Sequence, residues 1–168
     1  WPEIVELAAT PPNVTFDTRL TLHLNSPRIK TLKLMYFGRA HTRGDVVAYL
    51  PDVGVAFAGD IAFHRYIPNA RDGFPADWIT AAAALEAVGA DIIVPGHGPL
   101  GANADLAEMR ECLTTIVEQV RRSFESGMNE EQARAALKLG PFSEWERQDD
   151  RLPTLVSRAY RELRGEFS

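Results

Sequence analysis

The sequence holds a single cysteine, Cys112, so no intrachain disulfide can brace the chain. A lone thiol fits a reducing compartment, and a cytoplasmic location is the expectation that follows. No apolar run approaches the roughly 20 residues that cross a bilayer as a helix, which sets aside a membrane partner. Basic excess is missing too. The formal net charge is −5 and the pI near 5.4, whereas nucleic-acid binders present a basic face. Arg121, Arg122 and the arginines near the C-terminus are interleaved with glutamates, the pattern of a solvated helix face. Histidine is scarce: only His23, His41, His64 and His97 occur, and no two lie two residues apart. The chain opens Trp1-Pro2 without a signal-peptide pattern, so either a leader was removed or residues upstream are missing.

At 168 residues, with 45% hydrophobic and 24% charged residues, the chain is long enough to bury a core as one soluble globular domain. Pro2 to Ala9 reads as a short helix, with Pro2 suited to its first turn. Val14 to Phe16 and Arg19 to Leu24 alternate as a hairpin, which leaves His23 as a surface histidine. Ile29 to Phe37, Val46 to Leu50 and Val53 to Ala58 read as strands, and Asp91 to Val94 as a fully apolar one. Between the last two lies a helical stretch, Ala76 to Val88. From Ala104 to Ser126 apolar residues recur at helical spacing, with Cys112 beside the buried stripe as an inert thiol. Asn129 with Gln132 forms a capping box for a helix to Leu139, and Leu152 to Leu163 is a last amphipathic helix. The domain 1–168 thus divides into a connecting piece 1–13, a sheet region 14–103 and a helical region 104–168.

Three glycine-flanked stretches stand out. They are Gly38-Arg39-Ala40-His41-Thr42-Arg43-Gly44-Asp45, Phe57-Ala58-Gly59-Asp60 and Val94-Pro95-Gly96-His97-Gly98-Pro99. Pro51-Asp52 permits only a tight turn between the second and third central strands, which are therefore antiparallel. The strand, helix, strand order that follows favours a parallel crossover. With the first pair also a hairpin, His41 and His97 fall just past the tops of their strands, and Asp60 just past the top of Val53 to Ala58. Two imidazoles and a carboxylate then converge on one sheet edge, where open sheets place their chemistry.

Imidazole with carboxylate suits a borderline ion such as zinc, with manganese or iron as competitors. Thr42 and Asp45 are the expected outer partners, since a ligating histidine donates its other ring proton to an oxygen. His64, four residues after Asp60, is a candidate to reach substrate or protonate a leaving group, or else to pack against Tyr66. A flavin or nucleotide protein ranks low, for want of a Gly-x-Gly-x-x-Gly turn opening a helix.

The three stretches together resemble the C-terminal half of the metallo-β-lactamase-fold hydrolases, from about residue 14 onward. The resemblance implies half of an αββα sandwich: an α/β arrangement with a mixed sheet, flanking helices and a helical C-terminal region. It also implies a one- or two-metal site at the edge between two sheets. His41 then matches the third histidine of the first metal site, Asp60 the aspartate bridging both ions, and His97 the last histidine of the second. In that family a metal-bound hydroxide attacks an ester, thioester, lactam or phosphoester.

The family's His-x-His-x-Asp-His motif is absent, leaving at most two ligands per ion where catalytic zinc takes three. The expectation is a zinc-type hydrolase of a small-molecule substrate, represented by one half and incomplete or inactive alone. The rival is a non-catalytic dimeric module that keeps the fold without a working site. Either way, the strands Thr31 to Phe37 and Val53 to Ala58 would leave an apolar face in water. A second copy of the chain, or an N-terminal half-domain, is expected to cover it.

Overall fold

The computed structural model describes residues 19–23 and 28–167. The expected helix over Pro2 to Ala9 and strand over Val14 to Phe16 lie outside these residues. Five strands form one mixed sheet in sequential order: β1 (Arg19–His23), β2 (Thr31–Tyr36), β3 (Val46–Leu50), β4 (Val55–Phe63) and β5 (Ile92–His97). The first four are antiparallel to their neighbours, and β5 runs parallel to β4. β2, β4 and β5 therefore point the same way, and their C-terminal ends share a rim. The turn at Pro51–Val53 closes with Gly54 in the left-handed region at φ 65°, a conformation glycine adopts at no steric cost.

Two helices cover one face: α1 (Pro75–Glu86), the crossover between β4 and β5, and α2 (Asn103–Glu125). Strand residues alternate, so every second side chain turns toward them. Met35, Val47, Ala56, Ala58 and Ile93 from the sheet share one buried cluster with Trp78, Ala81, Leu85, Leu106, Met109 and Leu113. A forked ion pair from Arg110 to Glu86 ties α2 to the end of α1. Beyond α2 come α3 (Glu130–Ala136), opened by the reciprocal Asn129–Gln132 capping box, a 3₁₀ turn (Gly140–Phe142), and α4 (Gln148–Leu163). α3 stops short of the expected Leu139. α4 starts earlier than Leu152, with Asp149 and Asp150 in its first turn and Arg147 paired to Asp150 at 2.5 Å. Acidic residues there complement the helix dipole.

The opposite face is apolar and open among the described residues. The register Leu34–Ala48–Phe57–Val94 runs across it, joined by Val55 beside Ile92 and Tyr36 beside Val46. Phe57 is 47% exposed and Val46 54%. Large contiguous apolar surfaces of this kind mark interaction sites.

Cys112 lies in the core, and burial pushes its thiol up to about 12. Reaction requires the thiolate. In native protein at pH 8 a chromogenic disulfide reagent should therefore leave Cys112 unmodified, and in denaturant it should titrate one thiol per chain. Native reaction at the rate of a free thiol would contradict the packing.

Candidate metal centre

β2 delivers His41 on the loop that follows it. That loop is fixed from within: Asp45 accepts from the Thr42 backbone N–H through Oδ2 (2.7 Å) and from the Thr42 hydroxyl through Oδ1 (2.9 Å). It is also docked from outside, where the Phe74 N–H donates to the Ala40 carbonyl at 2.8 Å. Asp45 and Thr42 thus bond each other. They do not receive the His41 ring proton, and the buried Nδ1 of His41 has no partner among the described residues. Their contribution is to the shape of the loop that presents the ring.

Asp60 differs from its expected place. It sits inside β4, which continues to Phe63, because pairing with β5 resumes beyond an irregularity. The register steps from Phe57–Val94 to Gly59–Pro95 and then to Phe63–His97. Six residues of β4 are thereby spent against three of β5. Gly59 turns at φ 53°, and a bulge of this kind re-aims the next side chain. Gly96 completes the arrangement. A Cβ there would lie 1.9 Å from Asp60 Oδ1 and 2.9 Å from the Asp60 backbone nitrogen, so only glycine lets β5 pass this close.

His97 ends β5. The structure brings His41, Asp60 and His97 together: His41 Nε2 stands 3.4 Å from Asp60 Oδ2, and His97 Nε2 stands 3.6 Å from Asp60 Oδ1. Each carboxylate oxygen faces its own imidazole. The Asp60 side chain is 37% exposed and that of His97 45%, so the group is open to solvent on one side. Beneath it lies an aromatic floor absent from the sequence reading. The Phe63 ring stacks on His97 at 4.9 Å and 17°, and Trp78 meets His41 edge-on at 5.5 Å. The Trp78 indole donates to the Ile61 carbonyl at 2.8 Å, pinning α1 to β4. Buried Arg151 from α4 lies over Phe63 at 5.1 Å and donates to the Ile67 carbonyl at 2.8 Å. Its desolvated guanidinium is held below the usual arginine range. Phe63, three residues past Asp60 in an apolar run, was the one member of this floor with a visible signal.

The structure does not bring His64 into the group. Its Nε2 lies 3.0 Å from Asp105 Oδ1 and its Nδ1 3.1 Å from the Pro99 carbonyl oxygen. His23 is exposed on β1. Gly96, Gly98 and Gly101 do have the Gly-x-Gly-x-x-Gly spacing of a phosphate loop between a strand and a helix. A phosphate would need the helix N-terminus open, but Asp105 Oδ2 already takes the Ala102 N–H at 2.7 Å. These glycines serve close packing instead.

The segment from residue 29 to 97 matches the family model described as the metallo-beta-lactamase superfamily. Over this segment the chain resembles the metallo-β-lactamase superfamily. Solved structures agree on the fold. A metallo-beta-lactamase from Pontibacter korlensis is 28% identical with a TM-score of 0.52, the match covering 67% of this chain and 54% of that one. VMB-1, solved at pH 5.5, is 17% identical with a TM-score of 0.50 over 67% of this chain and 52% of its own. This chain therefore spans about half the length of these metallo-β-lactamase-fold structures. No curated protein matches it.

Members of the superfamily are generally metal-dependent. The separations of 3.4 and 3.6 Å exceed the ~2.7–2.9 Å of charge-assisted hydrogen bonds. They match the ~3.3–3.6 Å edge of a tetrahedron built from zinc bonds of about 2.0–2.2 Å. Donor type and spacing fit; donor number does not suffice, since each ion would find two. Accordingly, among the described residues no group of three or more His, Cys, Asp or Glu is disposed to hold a metal ion.

Gly96→Ala should force β5 away from Asp60 and cost about 1–3 kcal/mol, the range for overpacking. Gly44→Ala, where a Cβ meets nothing within 4 Å, should change stability by under about 0.5 kcal/mol. Urea denaturation of the two variants checks this, and equal costs would contradict the close approach.

Proposed function

We propose that this chain supplies half of the metal centre of a zinc-type hydrolase. Its substrate would be a small molecule bearing an ester, thioester, lactam or phosphoester. The observation carrying the reading is the single carboxylate of Asp60 set between two imidazoles, one on each oxygen. In this reading Asp60 would help to hold zinc, together with His41 on the side of one carboxylate oxygen and His97 on the side of the other. Bound zinc would supply a Lewis acid that polarises the substrate oxygen and acidifies water. The chain's own residues orient the donors: the Thr42–Asp45 loop aims His41, the bulge at Gly59 aims Asp60, and the Phe63 ring supports His97. Trp78 and Phe63 keep water from the underside of the group, where electrostatic interactions are stronger.

A second sheet seated on the open apolar face covers it in this proposal, carried by a second copy of the chain or by an N-terminal half-domain, and only the half-domain would bring the missing donors. Coverage of about half of the matched structures supports this. A non-catalytic dimeric module is the second reading. It is favoured by that same open face together with the lack of a three-donor group among the described residues.

Zinc titration of the chain, purified without chelators, tests the first reading. We expect saturable binding that weakens at least about tenfold in Asp60→Asn and in His97→Ala, with unchanged circular dichroism. Absence of zinc binding, or binding indifferent to Asp60, contradicts it and leaves the module.

A further inference from the structure

We infer that His64 is a positioning residue that fixes the His97 ring against Asp60, and not an acid–base catalyst. The inference rests on the metal-centre reading above for its functional meaning, but its geometry stands independently.

His64 is the first residue after β4, and it grips the turn following His97 with both backbone and ring. Its N–H donates to the His97 carbonyl at 3.0 Å. Its own carbonyl packs against Gly98, where a Cβ would sit only 2.1 Å away. The ring then crosses the turn. Nδ1 lies 3.1 Å from the Pro99 carbonyl oxygen and Nε2 lies 3.0 Å from Asp105 Oδ1 on α2. Asp105 in turn takes the Ala102 N–H at 2.7 Å. Gly101 closes the turn back onto β5, exchanging two hydrogen bonds with Ile93 at 2.7 and 3.0 Å. The turn from residue 98 to 102 is thus a closed frame with the His64 ring as its crossbar. The side chain is 14% exposed.

His97 needs such a frame. Its ring is nearly half exposed, and among the described residues it meets the Phe63 face and the Asp60 carboxylate. Its direction therefore depends on where the backbone at 97 sits and on Phe63, and His64 is bonded to the first and adjacent in sequence to the second. Proton delivery is a poor use of this imidazole. Both nitrogens face oxygen acceptors inside the fold, so neither is free to meet a leaving group, which needs a donor within hydrogen-bond reach. Outer partners that orient a ligand typically change metal affinity by about 10- to 100-fold when removed.

The test compares wild type with His64→Ala, His64→Gln and Asp105→Asn, the last being the milder change should His64→Ala fold poorly. Nuclear Overhauser contacts between the His97 and Phe63 rings, and amide exchange along the chain, report the frame without any metal. Zinc titration reports its consequence. The inference predicts that His64→Ala loses the ring contacts and speeds exchange at residues 97–102 by about tenfold or more, leaving β2 to β4 as protected as before. Zinc affinity falls at least about tenfold. His64→Gln, which keeps a donor toward Asp105, should recover most of both, and Asp105→Asn should fall between. Unchanged ring contacts in His64→Ala would overturn it, as would faster exchange spread evenly over all strands, which marks a merely structural pin. Should wild type bind no zinc, the hydrolase reading fails, while the ring contacts and exchange still decide the role of His64.

Discussion

The structure turns on one close approach, that of β5 to β4 at Gly96 and Asp60. A parallel pair of strands normally keeps its register, and side chains alternate from face to face. Here Gly59 breaks the alternation and Gly96 removes the one Cβ that would collide with the displaced carboxylate. Asp60 is thereby lifted from the sheet surface to its rim, where the loop after β2 presents His41 and the end of β5 presents His97. Without that approach the carboxylate would point into a helix-covered core or out over the open face. Neither position meets an imidazole from each side.

The same sheet is buried on one face and open on the other, and the two conditions belong together. Trp78 and Phe63 on the closed side hold the floor of the site and link it to α1 and the core. On the other side Phe57, Val46 and Ile92 present apolar surface with nothing against it among the described residues. A rim whose donors run out at two per ion thus borders a face that lacks a cover. A single sheet carrying further donors would remedy both, which is why partner and metal enter the proposal together.

Much of this was legible in the residues. The antiparallel turn at Pro51-Asp52 and the parallel crossover followed from turn chemistry and apolar runs, and with the first pair taken as a hairpin they placed residues 41, 60 and 97 on a common rim. Local pattern stops at the third dimension. Asp60 read as lying past its strand because Gly59 was taken as its end; that the glycine instead marks a bulge within a longer strand depends on the register with β5. The partnership of His64 with Asp105 spans 41 residues, beyond any spacing rule. Asp45 looked like a partner for the His41 ring by proximity in sequence, yet the shorter path to Thr42 won. Arg151, one residue before the expected helix, gave no hint of its burial over Phe63.

The most direct test is anomalous diffraction at the zinc edge from crystals of the protein equilibrated with zinc. The account predicts ions about 2.0–2.2 Å from Asp60 oxygens and from His41 or His97 nitrogens, so that the one carboxylate lies between them. Zinc peaks confined to other surface residues, with Asp60 bare, would contradict it.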